Sequence, residues 1–353
     1  MAIAFFRAFN DYPEKGSTTI TIRYLHDYNS LINFFLIGWF MNLDLMHWLQ
    51  PWEFSPTLVI VFLVCAILFM RGTAVHKVTR TRKWLFWIGF FMIYLSLHTH
   101  IDYYAERMFF IHRIQHVVLH HLGPLMVMAA YPGQVMRAGL PLPARVWLKN
   151  FRQTFSGRLL EGLLTNKILV PILFIMLVLV WLDPTIQFYS MLDWKLYRLM
   201  NWSVVISGFM YWNLVLDRRP SHPPLLTAKT RLGRLGQWCV KSGSPAVMSP
   251  GARVLSPALT MLPQMVAGAY IAFTSVDLYP LFDLCGRALP MSALQDQSIG
   301  GLTMWIPAAL VESFGLLVAL ANMMRLSASG RLRSTFRGKE VGRLPAGVAK
   351  SAG

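Results

Sequence analysis

Residues 298–324 read SIGGLTMWIPAALVESFGLLVALANMM, an apolar run interrupted by a single charge, Glu312. Coiled as a helix with a rise of about 1.5 Å per residue, such a run exceeds the ~30 Å hydrocarbon layer of a bilayer. A water-facing helix of this length needs a charged face, and this run has none to offer. It predicts a membrane span. Moving outward toward the N-terminus, residues 254–276 form a second run with no charge at all, and further runs occupy 54–70, 84–101, 109–130, 168–182 and 199–216. A shorter stretch, 31–43, reads either as an eighth span extended back to Tyr28 or as an interfacial segment. The expected fold is all-α, a polytopic transmembrane helix bundle with seven or eight spanning helices in a lipid bilayer.

Composition agrees. The chain has 353 residues, of which 55% are hydrophobic and 14% charged, against about 25% charged in soluble domains. Its net charge of +17 would suggest nucleic acid in a soluble protein. Here the basic residues lie between apolar runs and no nucleic-acid motif is visible, so no nucleic-acid partner is expected. Arg71, Lys77, Arg80, Arg82 and Lys83 follow the first strong run, and Arg137, Arg145, Lys149, Arg152 and Arg158 follow the third. Arg218, Arg219, Lys229, Arg231, Arg234, Lys241 and Arg253 follow the fifth, and the tail adds seven more basic residues. If all seven runs span, these segments share one side, which the positive-inside rule makes cytoplasmic. The alternate loops carry Asp102, Glu106, Asp183, Asp193, Asp277, Asp283 and Asp296, and face outward.

The whole chain then reads as one integral membrane domain. It comprises an N-terminal segment 1–53, a bundle 54–325 and a basic cytoplasmic tail 326–353. No signal peptide is read in the polar first 30 residues. The segment 242–251 is rich in Ser, Pro and Gly and is expected to be flexible. The tail beyond Arg331 has little apolar content and is expected to be unstructured. Cys65, Cys239 and Cys285 have no CxxC spacing and define neither a disulfide framework nor a zinc ribbon.

Chemistry concentrates in one place. Six of the ten histidines, His98, His100, His112, His116, His120 and His121, fall within 24 positions. His112, His116 and His120 are spaced i, i+4, i+8 and line one helix face. His98 and His100 end the preceding run, so a short connection brings them toward His112. Neutral imidazole is a common metal ligand, and two at i, i+4 can share one ion. The same residues suit haem, which takes an axial ligand on each face, and they also suit interhelical hydrogen bonding. His121 lies off the stripe and reads as structural. Arg113 is expected to snorkel outward toward Asp102 or Glu106.

A second polar cluster, Ser292, Asp296, Gln297, Gly300, Gly301, Met304 and Trp305, opens the last run on the same outer side. Asp296 reads either as a helper ligand or as a charge favoured by the helix dipole. The two glycines allow close helix contact. Met108, Met126, Met128 and Met304 are candidate soft donors for Cu(I), or ordinary apolar filling. Cys285 is a single candidate thiol. Glu312 is expected to face inward, with no role assigned.

His112-Arg-Ile-Gln-His116, followed by Leu119 and Gly123-Pro124-Leu125, resembles the His-x-x-Gln-His…Pro-Leu helix of the integral-membrane CtaG family of cytochrome c oxidase assembly factors. Residues 292–305 resemble that family's Asp-Gln-x-x-Gly-Gly-x-x-Met-Trp signature, and Phe209-Met-Tyr211-Trp212 its aromatic fifth-helix end. Asp102 fits an acidic position just upstream of the His helix. The resemblance runs from about Ser55 to Arg325. One departure is Asn201, which stands where the family often has a further histidine. The resemblance implies a bacterial inner-membrane protein, with cytochrome c oxidase subunits as partners and copper as the metal supplied. In this reading His112 and His116 are core ligands, with His98, His100, His120 and Asp296 as helpers. No catalytic nucleophile or acid–base pair is visible, and an enzyme is not expected. The alternatives are a haem-binding membrane cytochrome and a metal or small-solute transporter.

Overall fold

The computed structural model describes residues 48–52, 55–219 and 247–328. The expectations for residues 31–43, for Cys239 and the basic residues 229–241, and for the tail beyond Arg331 lie outside the described residues. The chain divides into two compact units, Met1–Gln50 and Pro51–Gly353. The helices and the site belong to the second.

Every element among the described residues is helical. The order is α1 (Pro56–Val75), α2 (Arg80–His98), α3 (His100–Arg107), α4 (Phe109–His116), a π-helical turn (Val117–Leu122), α5 (Gly123–Ala129), α6 (Pro132–Gly139), α7 (Leu142–Gln153), α8 (Phe155–Leu164), α9 (Leu169–Leu182), α10 (Pro184–Leu192), α11 (Trp194–Val215), α12 (Pro250–Phe273), α13 (Leu281–Leu284) and α14 (Ala293–Ala328). α4, the π turn and α5 succeed one another without a break and together form the His helix.

By length and apolarity three helices are able to cross a membrane: α1, α12 and α14. A fourth crossing arises if α8 and α9, bent by 63° at their junction, count as one broken span. The seven or eight spans expected from sequence are therefore not all reached by this measure. The reasons are local. α2 opens with Arg80, Arg82 and Lys83. The run 84–101 breaks at Thr99, whose hydroxyl donates to the Leu95 carbonyl (2.7 Å) and accepts from the Ile101 N–H (3.4 Å) to begin α3. α9 is 14 residues long, too short to cross alone. α11 is 22 residues long but carries Arg198, Asn201, Ser203, Ser207 and Asn213.

The distribution of side chains is inverted relative to a water-soluble bundle. Ile60, Leu63, Val64 and Ile67 on α1, Leu255, Leu259, Leu262 and Val266 on α12, and Ile306, Leu310, Phe314 and Leu317 on α14 are exposed. Each set repeats at three or four residues, so each is one continuous apolar stripe. Water would penalise stripes of that size, whereas hydrocarbon does not. The interior instead holds His120, His121, Asn201, Thr260, Gln264, Glu312 and Asn322, where helices must satisfy polar groups among themselves.

α12 and α14 pack along most of their lengths, and α4 and the π turn lie against α14. Close approach is set by small residues. A Cβ on Gly301 would stand 2.5 Å from the Ala272 backbone nitrogen and 2.7 Å from the Gly268 carbonyl oxygen. One on Gly300 would enter the Phe109 ring at 2.3 Å.

We expect Gly301→Ala to lower the unfolding midpoint of the detergent-solubilised protein, at a cost of about 1–3 kcal/mol for overpacking. Gly162, on α8, has nothing within 4 Å of a built Cβ. There Gly162→Ala is expected to raise the midpoint slightly, by the ~0.5–1 kcal/mol that separates the two residues in a helix. Equal midpoints for the two variants would contradict the close crossing.

Candidate functional site

The His helix is held at both ends. At its start the Asp296 carboxylate, on α14, accepts hydrogen bonds from the backbone N–H groups of Phe109 (3.0 Å) and Phe110 (2.8 Å). Arg287 pairs with the same carboxylate and reaches Asp283 at 2.6 Å. At the far end Arg82 donates to the carbonyls of Ala130 (2.7 Å) and Tyr131 (3.1 Å). Asp296, one of the expected helper ligands, is thus occupied as the cap of two N–H groups that a helix start leaves without partners.

Gln115 orients the first half of the helix. Its side-chain nitrogen donates to the Ser96 carbonyl (2.7 Å) and to Asp102 Oδ1 (2.6 Å). The Tyr197 hydroxyl donates to the same Asp102 oxygen at 2.7 Å, joining α3, α4 and α11. The expectation that Arg113 snorkels out to Asp102 or Glu106 is corrected here. Arg113 is 2% exposed, lies over the Phe109 ring at 4.8 Å, and has no partner for Nε or Nη2.

His112 and His116 stand side by side, with ring centroids 4.5 Å apart and planes tilted by 35°. His112 is fully buried. Both of its ring nitrogens and Nε2 of His116 are buried without a well-formed hydrogen bond, the Ala105 backbone carbonyl being a polar group that faces the His112 ring. His120 is engaged elsewhere: its Nε2 lies 3.0 Å from Ser207 Oγ. The Ser207 hydroxyl donates its own proton to the Val204 carbonyl (3.0 Å). The oxygen therefore accepts from His120 Nε2–H, which fixes that tautomer. The ring also stacks on Phe174 at 4.0 Å. His98 packs on Tyr94 (5.2 Å) and His100 on Trp52 (5.3 Å), at the α2–α3 junction. Among the described residues no group of three or more His, Cys, Asp or Glu side chains is placed to hold a metal ion. Of the six residues expected as ligands, the structure brings the rings of His112 and His116 together.

Sequence reasoning misses a polar cluster at Glu312. This residue is fully buried. It accepts from Thr260 Oγ1 (2.9 Å) and from Gln264 Nε2, and His121 Nδ1 stands 3.2 Å from its Oε1. Tyr211 extends the network through Thr260 (3.0 Å). His121, read as off the stripe, reaches Glu312 because the π turn adds a residue to the helix and rotates the residues after it. The adjacent pair His120-His121 is the available signal, since an unbroken α-helix turns neighbours about 100° apart.

Near the Asp296 end, a cavity of about 290 Å³ is lined by Pro184, Gln187, Phe188, Tyr279, Pro280 and Phe282. Its wall backs onto the site: Tyr279 stacks on Phe109 at 4.1 Å, and the Phe282 ring lies 6.5 Å from that of His112. Gln187 is 1% exposed, and neither atom of its amide has a partner.

No curated protein and no solved structure matches the chain. The chain does match the family described as cytochrome c oxidase caa3 assembly factor (Caa3_CtaG) over residues 60–236 and 232–326. Those stretches contain the His helix, Asp296 and its two glycines, and Glu312. The protein belongs to the Caa3_CtaG family of cytochrome c oxidase assembly factors.

Proposed function

We propose that this family member serves cytochrome c oxidase assembly in a bacterial cytoplasmic membrane by taking up copper, as transient cargo, on His112 and His116 near the outer face. One observation carries the reading: two adjacent imidazoles, His112 buried and His116 half-buried, keep three ring nitrogens unpartnered side by side. Buried polar atoms normally find hydrogen bonds, and those that do not call for an explanation. Imidazole nitrogen is a suitable donor for copper. Two ligands hold an ion without enclosing it, unlike a four-ligand structural site, so a partner subunit is able to add donors and take the ion away. Asp296 and Gln115 set the depth and rotation of the pair; neither is asked to bind the metal.

The cytochrome alternative fits this pair less well. Axial haem ligands approach from opposite faces, whereas His112 and His116 project side by side from one helix.

The proposed topology has seven crossings: α1, α2, the His helix, the bent α8–α9 pair, α11, α12 and α14. The His helix and α11 are each roughly 30 Å long at helical rise, enough to span. Residues 71–83, 131–154, 218–253 and the C-terminus then lie in the cytoplasm, residues 155–164 being the α8 half of the bent crossing. The expected result is cytoplasmic readout from reporter fusions placed in each of these segments. A periplasmic signal from any one of them would overturn the arrangement.

For the site, we expect His112→Ala and His116→Ala to bring oxidase activity and membrane copper down toward the level of a strain lacking the protein. The amount of this protein in the membrane should stay unchanged, because insertion depends on the apolar runs and loop charges. His76→Ala, at an exposed position, is the matched control. Wild-type activity in both site variants, normalised to protein amount, would remove the copper reading.

A further inference from the structure

The residue beside the imidazole pair carries a buried charge with no carboxylate against it among the described residues. Arg113 is 2% exposed, and guanidinium stays protonated in proteins. Its Nε and Nη2 have no hydrogen-bond partner. Among the described residues no carboxylate lies within 4.0 Å of it, and the nearby acids are committed. Asp296 is held by Phe109, Phe110 and Arg287, Asp102 by Gln115 and Tyr197, and Glu312 by Thr260, Gln264 and His121. The Phe109 face, 4.8 Å away, offers quadrupole attraction but no negative charge.

This matters for what the site accepts. A bare cuprous ion on His112 and His116 would bring a second positive charge next to Arg113, in surroundings that screen poorly. A cuprous ion carrying an anionic ligand brings none. That ligand would also supply the acceptor which Nε and Nη2 lack, as charge-assisted hydrogen bonds. Two imidazoles leave room for a third donor, and the soft anionic donor that suits Cu(I) is thiolate.

We infer that the site takes copper as a cuprous thiolate and not as the bare ion, with Arg113 as the positioning residue that holds the anionic sulfur ligand. The inference rests on the copper reading given above. Binding is ligand exchange alone. Copper stays cuprous, the incoming thiol gives up its proton to solvent, and the coordination bonds to copper are the only other bonds that change.

The test uses the full-length protein, purified in detergent under reducing, chloride-free conditions. Cu(I) is supplied as its acetonitrile complex, with or without 2-mercaptoethanol, and X-ray absorption reads the donors. With thiol present, wild type is expected to show two nitrogen and one sulfur scatterer per copper. At the same thiol concentration Arg113→Gln should keep nitrogen donors and lose the sulfur, and Arg113→Lys should keep it in part. Without copper or thiol, Arg113→Gln is expected to unfold at the same or a higher temperature than wild type, because an unpaired buried charge is gone. A merely structural arginine would give a lower one. Copper bound by wild type through nitrogen alone in the presence of thiol overturns this inference and leaves the copper reading standing. Undiminished sulfur in Arg113→Gln does the same. Wild type that binds no copper in either condition overturns both.

Discussion

A helix that begins inside a membrane protein leaves its first backbone N–H groups with neither an intrahelical partner nor water. The break at Met108 creates that situation at the head of the His helix, and the carboxylate of Asp296 answers it from a different helix. Much of the site depends on this contact. It fixes the height of α4 against α14, and it brings Phe109 over Gly300, where any Cβ would collide with the ring. Arg287 balances the charge of the buried carboxylate.

Seen from this contact, most polar members of the two family signatures are structural. Asp296 caps. Gln297 accepts from the Leu278 N–H (2.7 Å) and donates to the Val276 carbonyl (3.0 Å), tying the end of α12 to α14. Gly300 and Gly301 are places where another ring or backbone passes. Gln115 joins three helices through Ser96 and Asp102. What remains unengaged is the two imidazoles and the guanidinium between them in sequence. Other buried polar atoms also lack partners, among them the Gln187 amide and Asn201 Oδ1, but these three side chains lie together on one helix, which is the arrangement the copper proposal uses.

The sequence discloses the bundle through its apolar runs. Residues 254–276 and 298–324 correspond to α12, which starts earlier and stops at Phe273, and to α14, which runs past the apolar stretch at both ends. The histidine cluster is equally legible, because six in 24 positions is a compositional fact. Other features are not, for physical reasons. The π turn is one extra residue accommodated by packing against α11 and α14, and it has no signature of its own, so regular helical spacing misplaces His120 and His121. The break at Thr99 splits a run that reads as a single span, and the 63° bend joins to α9 a helix, α8, that reads as loop. Arg113 reads as reaching water, but it is buried with its guanidinium over the Phe109 ring. Whether Asp296 caps or ligates depends on which backbone N–H groups lie opposite, and no local pattern states that.

The most direct measurement is a competition titration of Cu(I) into the reduced, purified protein against a chromophoric chelator. The account expects one equivalent bound by wild type, with affinity falling at least about tenfold on loss of either His112 or His116, the scale on which metal sites respond to loss of supporting groups. Asp296→Asn, which alters the cap and not the donors, is expected to retain binding while lowering the unfolding midpoint. Undiminished affinity in both histidine variants, or loss of binding in Asp296→Asn with the fold intact, would contradict the account.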